Sequence, residues 1–144
     1  NIRSIRNKID YLSENFSDFD IFCFTETHLD RSIDNSSINI GDYRKPYRKD
    51  VSSHSGGILI YVNPKITSQL TEDFSLILPD SLWIKIQNKG KILILCEVYR
   101  RPISSVGFWD NLNVCIERAK EMCDDFILVG DMRMRISLIL LVKN

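Results

Sequence analysis

The sequence predicts an α/β protein with a mixed sheet and helices packed outside it. Short apolar runs with strand character alternate with two stretches of helical periodicity, and an Asn-Lys-Gly turn joins two of the runs. Ile5, Ile9, Leu12 and Phe16 recur at helical spacing behind Ser4, an N-cap residue type, so a helix is expected over 4–15. Asp20 to Thr25 (DIFCFT) is nearly continuous in apolar residues and reads as a strand buried on both faces, ending at Glu26. From Thr27 to Ser55 the composition is that of a loop, with a short strand expected at Ile38 to Tyr43. Gly57 to Val62 reads as a strand closed by Asn63-Pro64, and Ser81 to Gln87 alternates like a half-buried one. The turn at Asn88 to Gly90 leads into Lys91 to Tyr99, which predicts a hairpin. Trp109, Leu112, Ile116 and Ala119 share one face of a helix over 106–122, and Asp125 to Gly130 forms another buried strand. Met132 to Asn144 has strand composition without a turn or cap signal before it.

Bulk composition narrows the class. At 144 residues with 44% hydrophobic content, the chain has material for one core. Its 19 basic and 19 acidic residues cancel, so any nucleic-acid contact must be local. Cys23, Cys96, Cys115 and Cys123 lack the spacing of a zinc or redox motif, and Cys23 and Cys96 sit inside apolar strands as reduced thiols. No apolar run is long enough to cross a bilayer, and the opening lacks signal-peptide organisation. The expectation is a soluble, intracellular protein with no membrane contact.

Three strands end in a polar residue capable of chemistry: Glu26, Tyr99 and Asp131. Buried strands carry their last side chains to a sheet rim, where substrates bind. Two carboxylates and a phenol at one rim suit a hard cation and a phosphate. Tyr43-Arg44-Lys45-Pro46-Tyr47-Arg48-Lys49 interleaves cations with aromatics, the composition of a nucleic-acid contact, and Arg100 beside Tyr99 adds to it. Glu97, Trp83 and Trp109 read as structural. His28 reads as a packing or loop residue, and His54 as part of a serine-rich loop.

The order of several fragments resembles the endonuclease/exonuclease/phosphatase superfamily, and within it the apurinic-type endonuclease domain of non-LTR retrotransposons. Asn1-Ile2-Arg3-Ser4-Ile5-Arg6-Asn7-Lys8 is similar to that domain's Asn-x-Arg-Ser-Leu-x-x-Lys opening. Thr25-Glu26-Thr27-His28-Leu29 is similar to its Thr-Glu-Thr-Trp-Leu. Gly41-x-Tyr43, Gly56-Gly57-Ile58-Leu59-Ile60-Tyr61-Val62, Tyr99-Arg100-Arg101-Pro102 and Gly130-Asp131-Met132 follow in the expected order. The resemblance implies a four-layer α/β sandwich with two facing sheets, incomplete here. Residues 1–131 correspond to the N-terminal part of the domain, and 132–144 form a divergent tail outside the pattern. It further implies Mg2+ as cofactor, DNA as partner and a nuclear location. Glu26 becomes the metal ligand, Asn1 assists the metal and phosphate cluster, Tyr99 contacts the scissile phosphate, and Asp131 positions the attacking water.

Two departures bear on activity. Arg133 stands where the family has Asn, and the Ser-Asp-His ending that completes the family's site is not present. Groups that act as a unit lose nearly all activity when one is removed, so the resemblance implies the lineage of a metal-dependent DNA endonuclease without turnover in this chain. Two other functions stay open: a non-catalytic nucleic-acid-binding module using Arg44, Lys45, Arg48 and Lys49, and a sister phosphoesterase of the same superfamily. A truncated sandwich would also leave the inner face of its first sheet uncovered and prone to self-association.

Overall fold

The computed structural model describes residues 1–15, 18–71, 74, 76–102, 104, 106–132 and the backbone of 138–141. Two antiparallel partners flank a central strand in a three-stranded sheet: β1 (Ile21–Thr25) and β2 (Tyr47–Lys49) pair on either side of β3 (Ile58–Val62). The second sheet has five strands in the order β4 (Thr67–Leu70), β5 (Ser81–Asn88), β6 (Lys91–Tyr99), β7 (Asp125–Asp131) and β8 (Leu138–Leu141). All its neighbours are antiparallel except β6 and β7, which run parallel because α2 (Phe108–Glu121) crosses over between them.

The two sheets pack face to face. Ile58, Ile60 and Val62 of β3 meet Leu82, Ile84 and Ile86 of β5 and Leu95 and Tyr99 of β6 in the inner core. Alternate residues turn outward. Ile94, Cys96 and Val98 of β6, with Trp83 and Phe126, pack against Leu112, Cys115, Ile116 and Ala119 of α2. On the far side of the three-stranded sheet, Phe22, Leu59 and Tyr61 are covered by Ile5, by Leu12 of α1 (Ile9–Asn15) and by Ile38 of a short 3₁₀ helix at Asn35–Ile38. The layers are therefore helical segments, sheet, sheet and helix, a four-layer α/β sandwich. No helix among the described residues is long and apolar enough to cross a membrane.

Several local expectations are revised. The inner face of the first sheet is not bare: the five-stranded sheet covers it, leaving Ile58, Ile60 and Val62 at most 2% exposed. The first helix begins at Ile9, because residues 2–5 bond instead to the end of β1. Ile2, Ser4 and Ile5 donate their N–H groups to the carbonyls of Thr25, Glu26 and Thr27. Ser4 has φ of 73° and is no N-cap, which takes an extended backbone. Phe16 lies outside the described residues, as do Arg133 and the flanks of β8. The strand expected at 38–43 is absent; β2 and β4 lie elsewhere, each only 3 or 4 residues long. β1 is an edge strand with Ile21, Cys23 and Phe24 only partly buried, and β5 is buried on both faces apart from its far end. The hairpin forms as expected, with Lys89 and Gly90 at φ of 48° and 82°, the left-handed pair of a two-residue turn.

Candidate active site

β6 and β7 end side by side, and their register sets Tyr99 opposite Asp131. Gly130 permits this approach: a Cβ there would meet the Val98 carbonyl oxygen at 1.8 Å, and its φ is 140°. Tyr99 lies on the inner face of β6 and reaches across to the other sheet, where its hydroxyl donates a hydrogen bond to Glu26 Oε1. The Asn1 amide donates to Asp131 Oδ2 at 3.0 Å and also hydrogen-bonds to Glu26. Asn1, Glu26, Tyr99 and Asp131 thus form one connected network at the rim where the sheets meet.

Glu26 is held in an unusual backbone. Glu26 and His28 both adopt left-handed φ, 57° and 53°, a conformation that non-glycine residues take when the surroundings impose it. The surroundings here are the N-terminal segment on one side and Gly56 and Gly57 on the other, whose carbonyls accept from His28 and Thr27. Gly57 must be glycine, since a Cβ would come within 2.3 Å of Thr27 Oγ1. The hydrogen bond from Tyr99 is the main cause holding the Glu26 carboxyl below the ordinary carboxylate range; partial burial opposes it, while His28 and Asn1 add to it. Glu26 is therefore an anion at neutral pH.

The donor set fits a divalent cation. A half-buried, ionised carboxylate beside an amide suits an ion that takes one or two carboxylates and completes its shell with water and phosphate oxygens. Among the described residues no three His, Cys, Asp or Glu side chains gather as a closed metal cage. An open site of this kind leaves coordination positions for a substrate.

Two residues near the network have more to do than their sequence context indicates. His28 Nε2 lies 3.4 Å from Glu26 Oε2. The signal was its place two residues after Glu26. Glu97 is 1% exposed and borders a cavity of about 330 Å3 together with Asn1, Thr25 and Asp131. Burial pushes its carboxyl well above the ordinary range, which favours the uncharged acid.

The basic segment is dispersed rather than gathered. Arg48 is tied to the Asp50 carboxylate, to the carbonyls of Asp30 and Ile33, and to Asn35. Tyr43 packs against Phe22 and Tyr61, and Tyr47 enters the inner core. Arg44 and Lys45 are exposed but sit beside Val62, at the opposite end of β3 from the Thr25–Ile58 pair that precedes Glu26. Four residue steps separate the two ends, roughly 13 Å at strand rise, so Arg44 and Lys45 lie away from the site. Lys49 is half-buried, borders a second cavity with Tyr99, Asp80 and Arg101, and has its amine pushed down mainly by desolvation. Arg100 donates its backbone N–H to the Asp131 carbonyl and lays its guanidinium over Phe108 and Trp109, 5.6 and 5.4 Å from the ring centres.

This architecture, with polar strand ends from two facing sheets converging at one rim, is that of a phosphoesterase sandwich. Residues 1–132 match the endonuclease/exonuclease/phosphatase family, and the chain belongs to it. A solved 3′ phosphatase from Neisseria, NExo, bound to a product DNA hairpin, is similar in fold, with a TM-score of 0.62 at 15% sequence identity. The match covers 90% of this chain and 54% of that one, so the chain spans about half the length of the structure it resembles. No curated protein sequence matches the chain.

Proposed function

We propose that this chain carries the cation-binding half of a divalent-metal-dependent DNA phosphodiesterase, of the endonuclease type found in non-LTR retrotransposons. The observation that carries the reading is the convergence of Asn1, Glu26, Tyr99 and Asp131 from distant parts of the chain into one hydrogen-bonded network. Family membership supports phosphoester chemistry, and the fragments Thr25-Glu26-Thr27 and Tyr99-Arg100-Arg101-Pro102 support the retrotransposon type.

In this reading Glu26 holds a divalent cation, which when bound would neutralise charge developing on the phosphoryl oxygens. Tyr99 keeps Glu26 ionised by donating its single hydroxyl proton to it, and once a cation takes up the carboxylate that donor would turn to a phosphate oxygen at the same rim. Asp131 accepts the proton of the attacking water, and Asn1 fixes the orientation of that carboxylate. The partner is DNA, recognised through its phosphates. Turnover is proposed to be weak, because Arg133 stands where the family's pattern has Asn, and groups acting as a unit fail when one is replaced. The displacement of Arg44 and Lys45 and the engagement of Arg48 weigh against a binding module built on the basic segment.

The test measures nicking of supercoiled plasmid and affinity for a DNA duplex, each with and without Mg2+, for the wild type, Glu26→Gln and Asp131→Asn. Cation-dependent DNA binding lost in Glu26→Gln supports the reading, and nicking lost in both variants would show that the site also turns over. Binding and nicking indifferent to Glu26 refute it. A second reading, removal of a terminal 3′ phosphate, draws on the DNA 3′ phosphatase neighbour. Phosphate release from a 3′-phosphorylated oligonucleotide, without cleavage of internal bonds, selects it.

A further inference from the structure

His28 Nε2 is sealed from solvent and lies 3.4 Å from Glu26 Oε2, longer than an ordinary N–H···O hydrogen bond. Neither side chain is free to swing away. Glu26 Oε1 is anchored by Tyr99, the His28 backbone is anchored to Gly56, and the Arg6 guanidinium donates to the His28 carbonyl at 3.2 Å. When Nε2 bears a lone pair, that lone pair and a carboxylate lone pair share one small space and repel. A positive charge between them removes the conflict. The separation exceeds the roughly 2.7–2.9 Å of a charge-assisted N–H···O bond and leaves room for an ion between the two atoms. Two ligands each about 2.1 Å from one ion and 3.4 Å apart subtend about 108° at it, close to the tetrahedral angle.

We propose that His28 is a nitrogen ligand of the cation site at Glu26, and that the site therefore takes a borderline divalent cation such as zinc or cobalt ahead of magnesium. The proposal rests on the reading that Glu26 holds a cation, and it deepens that reading. Imidazole nitrogen suits zinc and its first-row neighbours, whereas magnesium favours a shell made wholly of oxygen. A side chain without a ligating nitrogen at position 28 leaves a site of oxygen donors; histidine changes the ion the same carboxylate selects. The left-handed backbone at His28 keeps this nitrogen beside the carboxylate without help from a helix or strand.

The experiment titrates the full chain with Co2+, followed by visible absorption, and then displaces Co2+ with Mg2+. The wild type is compared with His28→Asn, His28→Phe and Glu26→Gln, and asparagine is included because it tolerates the left-handed backbone. Expected is Co2+ binding at least about tenfold tighter than Mg2+, with that preference lost in both His28 variants and Mg2+ affinity within about twofold of wild type. In the wild type, Co2+ also shifts the His28 image of the imidazole proton spectrum, a readout that needs no variant. An unchanged Co2+ to Mg2+ ratio in the folded His28 variants, or an unmoved His28 resonance, overturns the proposal and leaves Glu26 as a cation ligand. Binding of both ions retained in Glu26→Gln, or absent from the wild type, overturns the underlying reading as well.

Discussion

Replacing Tyr99 with Phe removes one oxygen from the site and leaves the ring in the inner core. Tyr99 is 5% exposed, so its shape is needed where it is, and Phe keeps that shape. What is lost is the hydrogen bond to Glu26, the largest influence lowering that carboxyl's pKa. A hydrogen bond to a charged group contributes about 1.5–3 kcal/mol, against about 0.5–1.5 kcal/mol for one between neutral groups. Because the folded pKa of Glu26 is depressed, its contribution is present above the unfolded value near 4.5 and is lost as pH falls through the folded value. Tyr99→Phe should therefore cost about 2 kcal/mol at pH 7 and roughly 1 kcal/mol or less once Glu26 is protonated in strong acid. Urea unfolding of wild type and variant at both pH values measures the two differences. A cost that is the same at both, or negligible at pH 7, would refute the claim that Tyr99 acts on an ionised Glu26.

Arg48→Ala should lower stability by roughly 2–3 kcal/mol, because it strips partners from Asp50 and two loop carbonyls, while leaving DNA affinity unchanged. Chemical denaturation and a DNA-binding titration on one preparation decide between this fastening role and a nucleic-acid contact. Glu97→Gln should remove a pH dependence. A carboxyl with a raised folded pKa stabilises fully below its unfolded value near 4.5 and loses that contribution as pH rises toward the folded value. Wild-type stability should accordingly fall relative to the variant as pH rises above about 4.5, and parallel melting curves over that rise would show that Glu97 is not the source.

The strands facing both cores were legible because their signal is local. Ile58–Val62 is continuous in apolar residues and Lys91–Tyr99 nearly so, broken only by Lys91 and Glu97, and Asn88 to Gly90 has the turn chemistry that closes the hairpin between β5 and β6. The candidate site was legible at Glu26, Tyr99 and Asp131 for a related reason. Each ends an apolar run, so each must emerge at a sheet rim, and the fragments around them carry the family likeness. β2 and β4 were not legible, being short edge strands with little apolar pattern of their own. The start of α1 was misread because the N–H groups of Ile2, Ser4 and Ile5 are taken by carbonyls more than twenty residues away.

By itself, the sequence determined the α/β class, the order of the main elements and the family, since periodicity, turn residues and ordered motifs are properties of neighbours along the chain. Only the tertiary structure decided which charges are available. It spends Arg48 on an ion pair, carries Arg44 and Lys45 to the far end of β3, buries the Glu97 carboxyl and sets His28 against Glu26. Charge and ligation depend on distance and burial, and both arise where residues remote in sequence meet.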